Sequence, residues 1–313
     1  RSAAEVERIS HEVADLTVKA NQLKPTVEAI LQEQVAWVLT ELDLGLVGSI
    51  FPPVSFEFAQ LPSSLIVSPR DVIRQDASIS LRVDLSLEEK IALEERVEQN
   101  EDVSALVVPV GGLGTYPTMI LENTSLSWIL EVIAHEWVHN YLAFRPLGVS
   151  YGVSPELRTM NETTASLVGL AVGRKVLASY YPDLLPPPPA PSTDEEPPSP
   201  PAFDFRAEMR ITRLRVDELL AQDAIEVAED YMEQRRLFFW ENGYQIRRLN
   251  QAYFAFHGAY ADEPGGAAGD DPVGEAVRVL WERSPSLAQF LRTIAWMDSY
   301  EDLVRVIDSP RGD

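Results

Sequence analysis

His135 and His139 stand four residues apart with Glu136 beside the first, an H-E-x-x-H pattern inside the mostly apolar run EVIAHEWVHNY at 131–141. Residues four apart share one face of a helix about one turn apart, so both imidazoles can reach a single metal ion while Glu136 sits at the edge of that face. This is the arrangement of a zinc hydrolase: two neutral ligands on the metal and a carboxylate beside it to carry a proton. The surroundings predict a helix over 128–144, with Asn123, Thr124 and Ser125 offering N-caps and Pro146 closing it. The plainer alternative is a pair of core histidines.

A catalytic zinc takes three protein ligands and leaves a position for water, which calls for one more donor downstream. Glu162, in MNETTAS at 160–166, is the candidate. Ser154 can cap and Pro155 can begin the helix that carries it, which runs on through Leu167, Leu170 and Val176. Small residues Ala165, Ser166, Gly169 and Ala171 would let this helix approach the first closely. The alternative is a solvated first-turn carboxylate that favours the helix dipole, the role read for Glu156.

His135-Glu136-x-x-His139 followed by Asn161-Glu162-x-x-Ala165-Ser166 resembles the gluzincin metallopeptidases, in which two histidines and a glutamate hold zinc. The resemblance is nearest to a little-characterised set of bacterial, often membrane-anchored aminopeptidase-like proteins, through Leu249-Asn250-Gln251-Ala252-Tyr253 and Ser299-Tyr300-Glu301-Asp302-Leu303. It spans roughly 125–307, and the residues before it carry no assigned motif. It implies a zincin-like fold, an extracytoplasmic setting, and a membrane anchor upstream of Arg1. One departure is Ser166, which stands where some gluzincins place an aspartate that orients a histidine ligand.

The elements that must position these groups can be read in outline. Val6, Ile9, Val13 and Leu16, then Val27, Ile30, Val35 and Leu39, predict helix over 3–42, with Lys24-Pro25 as a break or kink. A packed helical pair is the expectation there; a coiled stalk or the continuation of an anchor are the alternatives. Strands are expected at 55–60, 65–68, 78–85, 105–109 and 116–121, and an acidic helix at 86–99. A small sheet therefore precedes the metal helix, and 115–120 is the candidate edge strand for an extended peptide, with a plain glycine-turn hairpin as the alternative.

The segment 182–202 (PDLLPPPPAPSTDEEPPSPPA) is proline-rich, acidic and of low complexity, which predicts a surface insertion that could bind a partner. Beyond it, helices are expected at 205–220, 224–242, 245–260 and 272–282, with two short ones after Pro285. In 245–260, Asn250, Tyr253, His257 and Tyr260 would share one face. Amide hydrolysis passes through a tetrahedral oxyanion, so Tyr253, or else His257, is the candidate donor to it, against a hydrogen-bonded aromatic pair in the core.

Composition bounds what remains. The chain has 313 residues, enough for a sizeable core, and a formal charge of −23 that repels nucleic acid and anionic membrane surfaces. It has no cysteine, which excludes disulfides and thiolate zinc ligands. No apolar run is long and charge-free enough to span a bilayer.

The fold class expected is α+β and predominantly helical, zincin-like, with a small β-sheet subdomain, the active-site helix, and a C-terminal helical subdomain. The expected divisions are a helical arm over 1–50, a zincin core over 51–181, the insertion at 182–202, and a helical subdomain over 203–313. The expected function is a zinc-dependent peptidase acting on a peptide or protein substrate, with one catalytic Zn²⁺ on His135, His139 and Glu162 and with Glu136 as general base. The alternatives are a zinc-stabilised envelope scaffold without catalysis, or a metal-dependent hydrolase of a non-peptide substrate.

Overall fold

A computed structural model describes residues 3–45, 48–123, 125–185, 203–261 and 266–309, and its architecture is a mostly helical α+β arrangement with two small sheets. Helix α1 (Ala3–Glu41) leads into β1 (Phe56–Ala59), β2 (Ser63–Pro69) and β3 (Ala77–Ser80). Helix α2 (Leu87–Asn100), β4 (Val103–Pro109), β5 (Gly112–Leu113) and β6 (Thr118–Leu121) follow. Next come α3 (Leu126–Leu142), α4 (Pro146–Val149) and α5 (Pro155–Tyr180). The rest is helical: α6 (Phe205–Ala221), α7 (Ile225–Glu241), α8 (Gln251–His257), α9 (Pro272–Arg283), α10 (Leu287–Ile294) and α11 (Tyr300–Asp308).

Helices α3 and α5 form the centre of the main core, and glycine decides how close they come. A Cβ at Gly169 would lie 2.9 Å from the Glu131 carbonyl oxygen and 3.1 Å from the His135 Cβ, and one at Gly173 would lie 2.9 Å from the Glu131 amide nitrogen. As the numbers on α5 rise those on α3 fall, so the two helices run antiparallel, backbone nearly on backbone. Buried side chains of α1 (Leu31, Val35, Val38, Leu39) and of α9 to α11 close around the pair. Trp137 is fully buried among them and its indole N–H donates to the Pro52 carbonyl at 2.8 Å.

The sheet β3-β2-β4 is antiparallel, and its two faces follow the period of two along each strand. Ile66, Leu106 and Val108 face Ala252, Tyr253 and Phe256 of α8, while Leu65, Ala105 and Val107 face Leu93 and Val97 of α2. Carboxylates lock the register of this unit. Buried Glu94 accepts from the Val107 amide (2.6 Å) and from both Nη atoms of Arg247 (2.8 and 2.5 Å), and Glu98 accepts from the Ala105 amide (2.9 Å) and Arg248 (2.6 Å).

Those two arginines explain why the helix expected over 245–260 is only Gln251–His257. Arg247 and Arg248 reach back to α2, so their backbone stays outside the helix, and Asn250 is its N-cap, accepting from the Tyr253 amide at 3.0 Å. The Asn250 amide group also donates to the Ala105 carbonyl at 2.9 Å. The line of four polar residues on one helix face therefore does not exist.

Three other expectations change. Helix α1 runs unbroken through Pro25 instead of folding into a pair, with its first half exposed and only its second half on the body. The strand expected at 78–85 ends at Ser80. The segment 115–120 is not an edge: β6 lies between β1, to which it is parallel, and β5, to which it is antiparallel. Pro182–Leu184 form a 3₁₀ turn, and the rest of the proline-rich insertion, 186–202, lies outside the described residues. Among the described residues no helix is long and apolar enough to cross a membrane.

The α3–α5 approach yields a direct test. Replacing Gly169 by Val puts a branched side chain against backbone at 2.9 Å, so the helices must part, at a cost of roughly 1–3 kcal/mol. Chemical denaturation should record that loss together with weakened metal binding.

Candidate metal centre

Ser125 starts α3 as expected, its hydroxyl accepting from the Trp128 amide at 3.3 Å; Thr124 lies outside the described residues. Ser154 caps α5 in the same way, accepting from the Leu157 amide at 3.3 Å, with Pro155 in the first turn. Glu162 sits two turns further in, on the face of α5 that meets α3. It is buried at 4 % exposure, which removes it from the class of solvated first-turn carboxylates.

His135, His139 and Glu162 form a buried to half-buried triad that could hold a metal ion. The two Nε2 atoms are 3.1 Å apart, and Oε2 of Glu162 is 3.5 Å from that of His135 and 3.6 Å from that of His139. A tetrahedral zinc with ligands at roughly 2.0–2.1 Å requires neighbouring donor atoms about 3.3 Å apart. The spacing therefore fits. A second observation agrees: Oε2 of Glu162 is buried and has no hydrogen-bond partner, a costly condition for a carboxylate oxygen that a cation would relieve.

The supporting contacts set the donor atoms. Asn161 Oδ1 lies 2.8 Å from Nδ1 of His139, so that ring nitrogen is the donor to Asn161 and Nε2 is the one turned toward the triad. The Asn161 amide is oriented in turn by donating to the Leu147 carbonyl at 3.3 Å. Asn161, the neighbour of the ligand, thus orients His139, the task that the Ser166 position had left without a residue. The Tyr151 hydroxyl donates to the other oxygen of Glu162.

Electrostatics follow from burial and this proximity. Burial by itself would raise the Glu162 carboxyl, but His139 and His135 outweigh it and hold Glu162 well below the usual carboxylate range. Burial would lower His139, and the nearby charge of Glu162 instead raises it to about 9.

Glu136 is buried beside the triad without being part of it. Strand β5 lies against its carboxylate so closely that a Cβ on Gly112 would be 2.2 Å from Oε1, a contact that only glycine avoids. Burial raises its pKa, partly opposed by His139 and His135.

The triad opens into a cleft of about 380 Å³ lined by Gly112, Gly114, Tyr151, Arg158 and Tyr260, with Ser78 and Ser80 of β3 opposite. It adjoins a second space of about 620 Å³, which shares Gln75, Ser78, Tyr151 and Arg158 with it. Tyr260 stacks on His135 (centroids 6.2 Å, 28°) and Tyr151 meets His139 edge-on (6.2 Å, 89°). Burial first, then the Glu162 charge, raises both phenols above their ordinary range, so both are protonated donors.

Tyr253 and His257, the two residues expected to face the site, are not among those lining the cleft. Their rings pack on each other at 4.3 Å, with Tyr253 between the sheet and the α6–α8 core. Because α8 ends at His257, the chain turns and delivers Tyr260 to His135 instead. Tyr260 is expected on a helix face and arrives from a turn instead, while Tyr151 and Arg158 are silent in the sequence, since a loop tyrosine and a first-turn arginine carry no periodic signal.

Three outcomes test this description. Glu162→Ala should lose stoichiometric metal on dialysis. Asn161→Ala should keep the fold and weaken metal affinity by roughly 10–100-fold, measured by competition with a chelator. His257 concerns stability: burial lowers it from 6.5 to about 4, so between those values the unfolded chain binds a proton that the folded chain refuses. Stability falls as the pH drops through that window, by about 3 kcal/mol, and His257→Gln should flatten that part of the slope in denaturant titrations.

No protein-family model matches this chain, and no curated protein or solved structure is detectably similar to it. The functional reading therefore starts from the geometry of the triad.

Proposed function

We propose that this protein is a single-metal hydrolase, a zinc peptidase, whose ligands are His135, His139 and Glu162 and whose general base is Glu136. The observation that carries the reading is the buried, unpartnered Oε2 of Glu162, at tetrahedral spacing from two Nε2 atoms and with a second buried carboxylate alongside. Two imidazoles and one carboxylate are a donor set suited to zinc and leave room for water and substrate.

When bound, such an ion polarises a carbonyl and makes a water acidic enough to attack near neutral pH. The chain's own residues do the rest. Glu136, made more basic by burial, takes a proton from the attacking water and delivers it to the leaving amine. Tyr260, protonated and lining the cleft, donates to the oxygen that gains negative charge, an interaction that strengthens only in the transition state. Tyr260 takes the role expected of Tyr253 or else His257. Asn161 and Tyr151 hold His139 and Glu162 in place.

A peptide substrate is supported by the walls of the cleft. Strands β5 and β3 are each outermost in their sheets and both contribute lining residues, so an extended chain meets strand edges on two sides. The adjoining 620 Å³ space lengthens the channel beyond a single residue. A membrane anchor upstream and an extracytoplasmic setting belong to this proposal through the gluzincin resemblance.

Glu136→Gln should leave zinc content unchanged and reduce turnover of a peptide library by roughly 10²–10⁴-fold. Turnover equal to that of the parent protein would remove Glu136 from the mechanism, and absence of turnover in the zinc-loaded parent on peptides with free and with blocked amino termini would remove the peptidase reading.

A further inference from the structure

The first half of α1 carries an apolar seam that the body does not use. Val6, Ile9, Val13, Leu16, Ala20 and Leu23 recur at alternating steps of three and four, the a and d positions of a heptad. All are exposed, Ile9 at 37 % and Leu23 at 61 %; Val27 and Ile30 continue the pattern, also exposed, to the point where Leu31, Val35, Val38 and Leu39 turn a different face of the helix onto the body. Pro25 falls at an f position, the outermost of the heptad, so the ring does not intrude on the seam. A surface helix with a strict 3.5 period facing water is the half of a coiled coil.

We propose that this seam pairs with the same seam of a second copy of the chain, antiparallel, around a two-fold axis near residues 14 and 15. Two features select the occupant and its direction. The first is charge. In that register Glu12 of each helix flanks Lys19 of the other, giving two opposite-charge pairs, while a parallel, in-register pair sets Lys19 beside Lys24 of the other copy. Glu12 and Lys19 are both exposed on α1, and among the described residues the ion pair of Glu12 is with Arg8 on its own helix, at 3.2 Å.

The second feature is size. Antiparallel packing layers Val6 on Leu23, Ile9 on Ala20 and Val13 on Leu16, each small or medium side chain against a larger one. A parallel pair would stack Ala20 on Ala20 and leave a gap in the seam. The contact is self-complementary, as a two-fold interface requires. The two bodies then join the paired helices at opposite ends, roughly 40 Å apart at 1.5 Å per residue, so each cleft stays open.

Sedimentation over a concentration series should show a dimer, and Leu16→Asp should give a monomer with the parent's thermal transition, because that side chain touches no core. Lys19→Glu should weaken the dimer by on the order of tenfold, the sum of two pairs lost and two repulsions gained, and adding Glu12→Lys should restore it. Direction is read by disulfides, since the chain has no cysteine of its own. Val6→Cys and Leu23→Cys proteins, mixed and oxidised, should form the mixed disulfide and neither should cross-link alone. A parent that stays monomeric at every concentration, a Leu16→Asp protein that stays dimeric, or cross-linking of each cysteine protein with itself would overturn the proposal.

Discussion

A carboxylate held almost dry between two imidazoles is the constraint on which the rest of this molecule depends. Moving a charged carboxylate out of water costs several kcal/mol unless it is compensated, and here the compensation is local and specific. Tyr151 satisfies one oxygen of Glu162, and His139 and His135 stabilise its negative charge from 3.6 and 3.5 Å. The second oxygen keeps no hydrogen bond, so the environment remains incomplete in the one direction where the ligand atoms converge. That arrangement requires α3 and α5 in near backbone contact, which in turn requires glycine at 169 and 173.

The same burial sets the proton inventory of the cleft. A dry environment pushes the Glu136 carboxyl up toward a useful basicity and keeps the Tyr151 and Tyr260 phenols protonated. An acceptor, a donor to the cleft and the donor that holds Glu162 thus arise from one physical cause, without separate tuning of each residue. Strand β5 contributes by covering Glu136 with a glycine, so the carboxylate is shielded on that side by backbone and still faces the open cleft.

Distant parts of the chain hold that geometry. The Glu94 and Glu98 carboxylates clamp Arg247 and Arg248, which fixes where α8 begins, and the short α8 determines that Tyr260 arrives over His135. The Asn250 cap and the Gln251 side chain, which donates to the Arg70 carbonyl at 2.8 Å, tie the same helix to the sheet. Tyr253 and His257, expected on a catalytic face, pack on each other within this unit, and the turn after α8 brings Tyr260 to His135.

What is local in origin can be read from the residues alone. The His135–His139 spacing, the Ser125 and Ser154 caps, Pro155 at the start of α5 and the small residues on its face follow from one chain segment at a time, because helix period and capping are short-range. Most helices of the C-terminal half and the strands β2 and β4 were legible for the same reason. Tertiary structure decided the rest. Which strand lies at an edge depends on partners far along the chain, so β6 proved central; where α8 starts depends on carboxylates some 150 residues earlier. Tyr151 and Tyr260 reach the histidines from a loop and a turn, which carry no periodicity, and Asn161 orients His139 only because α5 crosses α3 at that height. A metal ligand set can announce itself through spacing along a helix, but the donors and shields around it are brought together by packing, and packing is not written in any single stretch of residues.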